Sequence, residues 1–284
     1  MIEIYVASAF SKDNQGGNKA GVVFDRPDLS VKQKMAIASY LGYSETAFVT
    51  ESKAADFEIQ YFTPTEEVPL CGHATIATFS AMYHLGKIKP TSYTIQTKAG
   101  ILRIQLDGDG LVFMEQNPPI YYEYLEKEDL KNSMDLDLID SELPIQIVST
   151  GLKDIILPIK SEECLANIHP GFDGISVLSK EKDAVGIHAF AFTQDSAADA
   201  VCRNFAPLYG INEESATGTA SCALASYLFK YYKKKNQYIF EQGYSLNAPS
   251  KIVVNVEYHE DIIDAIFVGG YGYMTDEIQL DEEI

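Results

Sequence analysis

The chain has 284 residues, 46% of them apolar, enough for one large or two medium domains with a proper core. Its 41 acidic residues outnumber 22 basic ones, and the formal charge of −19 repels nucleic acid and anionic lipid, so neither is expected as a partner. No apolar run approaches a membrane span, MIEIYVASAF lacks the basic and long apolar regions of a signal peptide, and Cys71, Cys164, Cys202 and Cys222 form no CxxC or zinc-ligand spacing; the expectation is a cytoplasmic protein with reduced thiols.

In chain order, short alternating or β-branched runs dominate. IEIYVASAF is the first strand, and GGNKAGVV (16–23) supplies glycines for a sharp bend with Asn18 entering the second. Ser30 and Gln33 have capping-box spacing ahead of a surface helix that Gly42 stops. Glu45 in YSETAFV (43–49) stands immediately ahead of the strand TAFVT, and FEIQYF follows. A helix is predicted over 73–86, HATIATFSAMYHLG, then strands in SYTIQT, ILRIQL and LVFMEQ. Charged and punctuated, residues 123–144 read as a solvated helix and link. Beyond them come PIQIVS, DIILPI, GIHAFAF and VCRNFA, a helix over 219–232 (TASCALASYLFKYY), and the strands YIFEQG, KIVVNVE and DAIFVG. Lys230, Lys233, Lys234 and Lys235 fall at the end of the second helix, where positive charge offsets its macrodipole.

Both long helices are small or apolar around most of their circumference, the pattern of a helix enclosed by protein. Their starts also match: CGHAT (71–75) against TGTAS (217–221), preceded by FTP (62–64) and FAP (205–207). The shared order of strand, F-x-P, x-G-x-A and buried helix predicts two similar halves, each a curved sheet around a central helix. The expected halves are residues 1–118, with the strand region 263–284 as a candidate addition, and 119–262.

The first turn of a helix leaves backbone N–H groups without intrahelical partners and carries partial positive charge. With Gly72 and Gly218 at the entries, each start either receives a carboxylate or oxyanion or merely makes a tight turn. His73 either donates to a substrate or caps the helix. Cys71 is either a low-pKa thiol or a small buried hydrophobe, and its counterpart Thr217 is no thiol. Glu45 is a solvated strand-edge carboxylate or, if enclosed in a cleft, a general acid or base.

GGNKAGVV, YSETAFV, FTPTEEVPLCGHAT and CRNFAP…EESATGTA, in this order and at these separations, resemble the phenazine-biosynthesis PhzF-like isomerases, which share the diaminopimelate epimerase fold. The resemblance runs across almost the whole chain, and FTPTEEVPLCGHAT is its most specific part. It implies an α+β enzyme of two pseudo-symmetric halves, each a barrel-like, mostly antiparallel sheet around a helix, working without cofactor or metal on a small anionic substrate and assembled as a homodimer. By the resemblance, the catalytic glutamate falls on Glu45 and a substrate-contacting histidine on His73. The acidic residue before the second helix falls on Glu214 and a serine position on Thr219. Gly72 and Gly218 present amides, Asn18 joins the substrate contacts, and Cys71 is an accessory candidate. The family's Asn-Pro is Asn18-Lys19 here, its Asp-Pro is Glu214-Ser215, and its serine is Thr219, changes that bear on pocket shape more than on proton transfer.

The expected activity is therefore a proton-shifting isomerase acting on a small carboxylate. An epimerase or racemase of the same fold is the nearest alternative, and a non-catalytic small-molecule binding protein the alternative of another class.

Overall fold

The computed structural model describes residues 1–26, 28–194 and 197–281. The chain divides into two compact units, one of residues 1–115 together with the segment from Gly269 onward, the other Gln116–Val268.

In the first unit the elements run β1 (Ile2–Ala9), β2 (Asn18–Phe24), α1 (Val31–Leu41), β3 (Thr46–Thr50), β4 (Phe57–Phe62), the two-residue β5 (Glu67–Val68), α2 (Gly72–His84), β6 (Thr91–Thr97), β7 (Gly100–Leu106) and β8 (Val112–Gln116). The C-terminal strand, Tyr273–Leu280, pairs with β1. From that strand the sheet continues through β1, β2, β3, β4, β6, β7 and β8, antiparallel except at β2/β3 and β4/β6. Those two parallel pairs are the ones whose connections contain a helix, α1 and α2, since parallel strands need a crossover.

The second unit repeats this plan. Its elements are β9 (Ile120–Leu125), β10 (Ile145–Ser149), β11 (Lys153–Pro158), α3 (Glu162–Ala166), α4 (Phe172–Glu181), β12 (Gly186–Phe192), β13 (Ala200–Ala206), β14 (Ile211–Glu214), α5 (Gly218–Tyr231), β15 (Gln237–Gln242), β16 (Ser250–His259) and β17 (Ile262–Gly270). The order β9, β10, β11, β12, β13, β15, β16 is again antiparallel except at two steps, β11/β12 and β13/β15. Short β14 lies on β13 as β5 lies on β4. The repeat holds at residue level: Tyr61 pairs with Val68 three residues before Cys71, and Asn204 pairs with Glu214 three residues before Thr217.

Within each unit the sheet holds a buried helix on one face and is covered by one or two helices on the other. Every residue of α2 from His73 to Met82 is buried, and α2 packs on β1, β2, β3 and the C-terminal strand. α5 is buried at most positions from Gly218 to Phe229 and packs on β10, β11 and β16. On the opposite face α1 closes a cluster of Ile2, Ile4, Val23, Phe48 and Phe62. Its Ser30–Gln33 capping box and the left-handed Gly42 (φ 69°) bound it as the sequence predicts. In the second unit α3 and α4 cover Ile155, Leu157, Ile187, Ala189 and Phe205. Period-two alternation then turns Asp154, His188 and Asn204, one step along each strand, to the α5 face.

Several expectations need correction. The central helices begin one residue earlier than predicted and run Gly72–His84 and Gly218–Tyr231, the first stopped before Gly86 at φ 68°. Residues 123–144 form no α-helix and, though half of them are exposed, are not merely a solvated link. They complete β9 and form two 3-10 turns, and along the segment Leu125, Leu130, Met134 and Ile139 are buried in the second core. Single apolar residues spaced among acids carry no helical or strand period, so composition alone misreads them. Helices α3 and α4 were not expected; Gly171 and Gly174 interrupt the pattern, yet a Cβ at Gly174 would lie 2.0 Å from the Asn132 carbonyl, so glycine is what lets α4 sit down on that backbone. The region 263–284 is two strands rather than one, and its last residues, 282–284, lie outside the described residues.

Candidate active site

Glu45 is placed by the crossover into β3, with its carbonyl accepting the Gly21 N–H at 3.4 Å. Its side chain is 19% exposed, and Oε2 comes within 3.3 Å of His73 Nε2. The approach lacks hydrogen-bond geometry: the buried Oε2 has no hydrogen-bond partner among the described residues. An acceptor held out of water and unpaired is costly, which marks it as a group kept for something else to bind.

His73 lies in the first turn of α2 and is 7% exposed. Burial pushes its imidazole below the ordinary histidine range, the nearby Glu45 carboxylate pulling the other way. Cys71, the N-cap, places Sγ 3.5 Å from Nδ1 and 3.9 Å from Nε2 of the same ring. Its extended backbone (φ −141°, ψ 115°) leaves the side chain making no cap bond to the helix, whereas its carbonyl takes both the Thr75 N–H at 3.1 Å and the Thr75 hydroxyl at 2.7 Å. The structure thus brings Glu45, Cys71 and His73 together, one carboxylate oxygen, one thiol and one imidazole nitrogen within 4.8 Å, a donor set able to hold a metal ion. No linear spacing announced it, because the third donor, Glu45, arrives from the turn ahead of β3. Gly72 is half-buried beside this group, and a Cβ there would meet only Met114 Cε, at 3.5 Å. Half-buried Asn18 stands at the first position of β2, paired with Ala9.

The start of α5 has the same backbone with other side chains. Thr217 is its N-cap (φ −126°, ψ 100°), also without a side-chain cap bond, and its carbonyl accepts the Ser221 hydroxyl at 2.8 Å as Cys71 accepts Thr75. Instead the Thr217 hydroxyl donates to Glu214 Oε2 at 2.6 Å. Gln242 donates from Nε2 to the Glu214 carbonyl (2.7 Å) and to Thr217 Oγ1 (3.1 Å), and its Oε1 accepts the Thr217 N–H (3.3 Å). Thr219 is half-buried, with its carbonyl accepting from Thr150 at 3.2 Å, and Gly218 is buried.

Three polar residues of this unit escaped the sequence reading: Gln242, Asp154 and His188. Burial pushes the Asp154 carboxyl up to about 8, with the charge of Glu214 adding to the effect. Burial holds His188 down to about 4; Nδ1 lies 3.0 Å from Asn204 Oδ1, and Nε2 has no partner among the described residues. The only available signal was a polar residue at an inward position of an otherwise apolar strand, legible once the facing of each strand is known.

A duplicated, mostly antiparallel sheet wrapped on two buried helices is the diaminopimelate epimerase-like fold. The family model described as phenazine biosynthesis-like protein, PhzC-PhzF, matches residues 7–276. A Bacillus subtilis (strain 168) protein named "Uncharacterized isomerase YfhB" is 33% identical over 264 residues, covering 89% of this chain and 90% of its own. The crystal structure of the Bacillus anthracis phenazine biosynthesis protein of the PhzF family superposes with a TM-score of 0.90 at 31% identity, covering 98% of each chain. A structure titled as a predicted epimerase from Pseudomonas aeruginosa shares the fold, with a TM-score of 0.79 at 21% identity over 99% of each chain. The chain belongs to the PhzC-PhzF family of phenazine biosynthesis-like proteins and is an isomerase. Among the described residues no helix is long and apolar enough to cross a membrane.

Proposed function

We propose that the isomerase moves a proton between carbons of a small carboxylate-bearing substrate, with Glu45 as the general acid and base. The observation that carries this reading is Glu45 Oε2, buried, without a hydrogen-bond partner and 3.3 Å from His73 Nε2 at the start of α2. The carboxylate takes the proton as the C–H bond breaks, the electron pair spreads into the conjugated system of the substrate, and the same proton returns to a different carbon. General acid–base catalysis of this kind supplies about 10²–10⁴-fold. The uncapped first turn of α2 supplies N–H groups for the developing negative charge, the larger contribution in such sites.

As the family resemblance implies, substrate contact is assigned to Asn18, Gly72, His73, Glu214, Gly218 and Thr219. Glu214, gripped by Thr217, is held rather than swinging, so it serves orientation. Cys71 is an accessory group packed against the imidazole. A two-thiol racemase mechanism finds no support, because the N-cap of α5 is Thr217. A homodimer acting in the cytoplasm on a small anionic substrate completes the reading.

Proton NMR in D₂O of a panel of small unsaturated and amino carboxylates, with wild type and Glu45→Gln side by side, tests it. Exchange or isomerisation by wild type alone is expected; undiminished exchange by Glu45→Gln overturns the role of Glu45, and a bound compound that never exchanges favours a binding protein. Sedimentation velocity checks the dimer.

A further inference from the structure

The Glu45–Cys71–His73 group has a second capacity that proton transfer does not use. Thiolate, imidazole and carboxylate are the ligand types of zinc. In a tetrahedral zinc site with nitrogen and oxygen at about 2.0–2.1 Å and sulfur at about 2.3 Å, nitrogen and oxygen lie roughly 3.3 Å apart and sulfur and nitrogen roughly 3.6 Å. Here His73 Nε2 and Glu45 Oε2 are 3.3 Å apart, and Cys71 Sγ and the same Nε2 3.9 Å. All three donor atoms fit within 4.8 Å.

The donors are also fixed and available. Oε2 has lone pairs that no described residue claims. Cys71 and His73 are each 7% exposed and share one helix start, locked by the two bonds from Thr75 to the Cys71 carbonyl. A metal-bound Cys71 sulfur, its proton displaced to solvent, and the Glu45 carboxylate bring two negative charges to the cation, which offsets its repulsion by the helix dipole. The partly exposed Glu45 carboxylate is the side open to an entering ion.

We propose that Glu45, Cys71 and His73 form a binding site for one divalent cation of the zinc class, and that its occupation arrests the isomerase. On binding, the Cys71 S–H bond gives way to a sulfur–metal bond and the proton leaves to solvent; no electron is transferred. The cation takes the Glu45 lone pair that accepts the substrate proton, so metal and turnover exclude one another. Only this arrest rests on the catalytic reading of Glu45. Magnesium and calcium, which want six or more oxygen ligands, are rejected.

The test is a Co²⁺ titration of chelator-treated, metal-free full-length protein followed by absorbance. Expected is one equivalent bound, with a thiolate-to-cobalt charge-transfer band in the near ultraviolet and the strong visible bands of tetrahedral cobalt, both erased by Zn²⁺ and untouched by Mg²⁺. Cys71→Ser should remove the charge-transfer band, and Glu45→Gln, which leaves the buried thiol in place, should weaken binding at least about tenfold. Absence of the band in folded wild type, or its survival in Cys71→Ser, overturns the site. Zn²⁺ that binds but leaves D₂O exchange unchanged overturns the arrest. The cobalt spectrum reads the site whether or not any compound is turned over, so failure of the catalytic reading and failure of the metal site are seen separately.

Discussion

Glu45 and Gly186 occupy equivalent places in the two copies of the strand pattern: each stands one residue ahead of the position paired with the phenylalanine of F-x-P, Thr46 with Phe62 and Ile187 with Phe205. One copy carries a carboxylate there and the other no side chain, so the duplication kept the frame while the side chain at this position diverged. Space enforces this, since a Cβ at Gly186 would lie 1.9 Å from the Phe205 carbonyl oxygen. Gly186→Ala should therefore cost at least about 2 kcal/mol of stability, because backbone rather than a flexible side chain must move. Urea denaturation of the variant checks it; a loss within about 0.5 kcal/mol would refute the steric argument.

If Glu45 acts by position as well as charge, shortening it should be nearly as damaging as neutralising it. Glu45→Asp keeps a carboxylate but withdraws it by about one methylene from the place beside His73 Nε2. A displacement of about 1 Å in a reacting group can cost on the order of 10²-fold, so kcat of Glu45→Asp should fall by about that factor with KM little changed. Steady-state kinetics on the compound identified in D₂O decides this, and near-normal turnover would mean the site tolerates a mobile base.

Asp154 should make the protein less stable as pH rises. Its pKa is raised from 3.8 to about 8 on folding, so the folded chain keeps a proton that the unfolded chain surrenders between those values. The contribution is intact below about pH 4 and is lost as pH climbs to about 8, at up to about 1.4 kcal/mol per pH unit. Asp154→Asn keeps the shape with no proton to lose. Urea midpoints at pH 5 and pH 8 should therefore converge in the variant and diverge in wild type. His188 works the other way: held down to about 4 from 6.5, its contribution is complete above pH 6.5 and fades as pH falls towards 4.

Arg203 grips Glu213 with two bonds, at 2.9 and 2.8 Å, and also donates to the carbonyls of Leu165 (3.1 Å) and Ile168 (2.9 Å), tying the end of α3 to β13. The two side chains are 11% and 10% exposed. Arg203→Met leaves a largely buried carboxylate without its countercharge, held by the Ser245 hydroxyl alone among the described residues, and should cost about 3 kcal/mol. Adding Glu213→Leu should recover a good part of that loss, since two matched apolar residues avoid the uncompensated charge. Thermal unfolding of the single and double variants tests the pair, and a double variant no better than the single would place the energy in the α3 carbonyl bonds instead.

Much of the frame was legible because its determinants are local. Alternating runs bounded by turn residues give strands, the Ser30–Gln33 box and Gly42 give α1, and two helices apolar on all sides can exist only inside something. The matched F-x-P and x-G-x-A segments disclosed the repeat. What failed was non-periodic: Leu130, Met134 and Ile139 look solvated among acids and are core, and α4 hides behind Gly174, which serves contact with Asn132 rather than helix propensity.

The sequence by itself determined the duplicated α+β frame, the two enclosed helices, the family and the residues worth suspecting, because secondary structure and motif order depend on near neighbours and on amphipathic period. Only the tertiary structure decided which suspects meet. Glu45, Cys71 and His73 converge because a parallel crossover sets the head of β3 beside the head of α2, a distance that no spacing along the chain encodes. The same is true of Asp154, His188 and Gln242, whose inward facing and burial exist only once the strands are in register, and with burial comes the shift in proton affinity of Asp154 and His188.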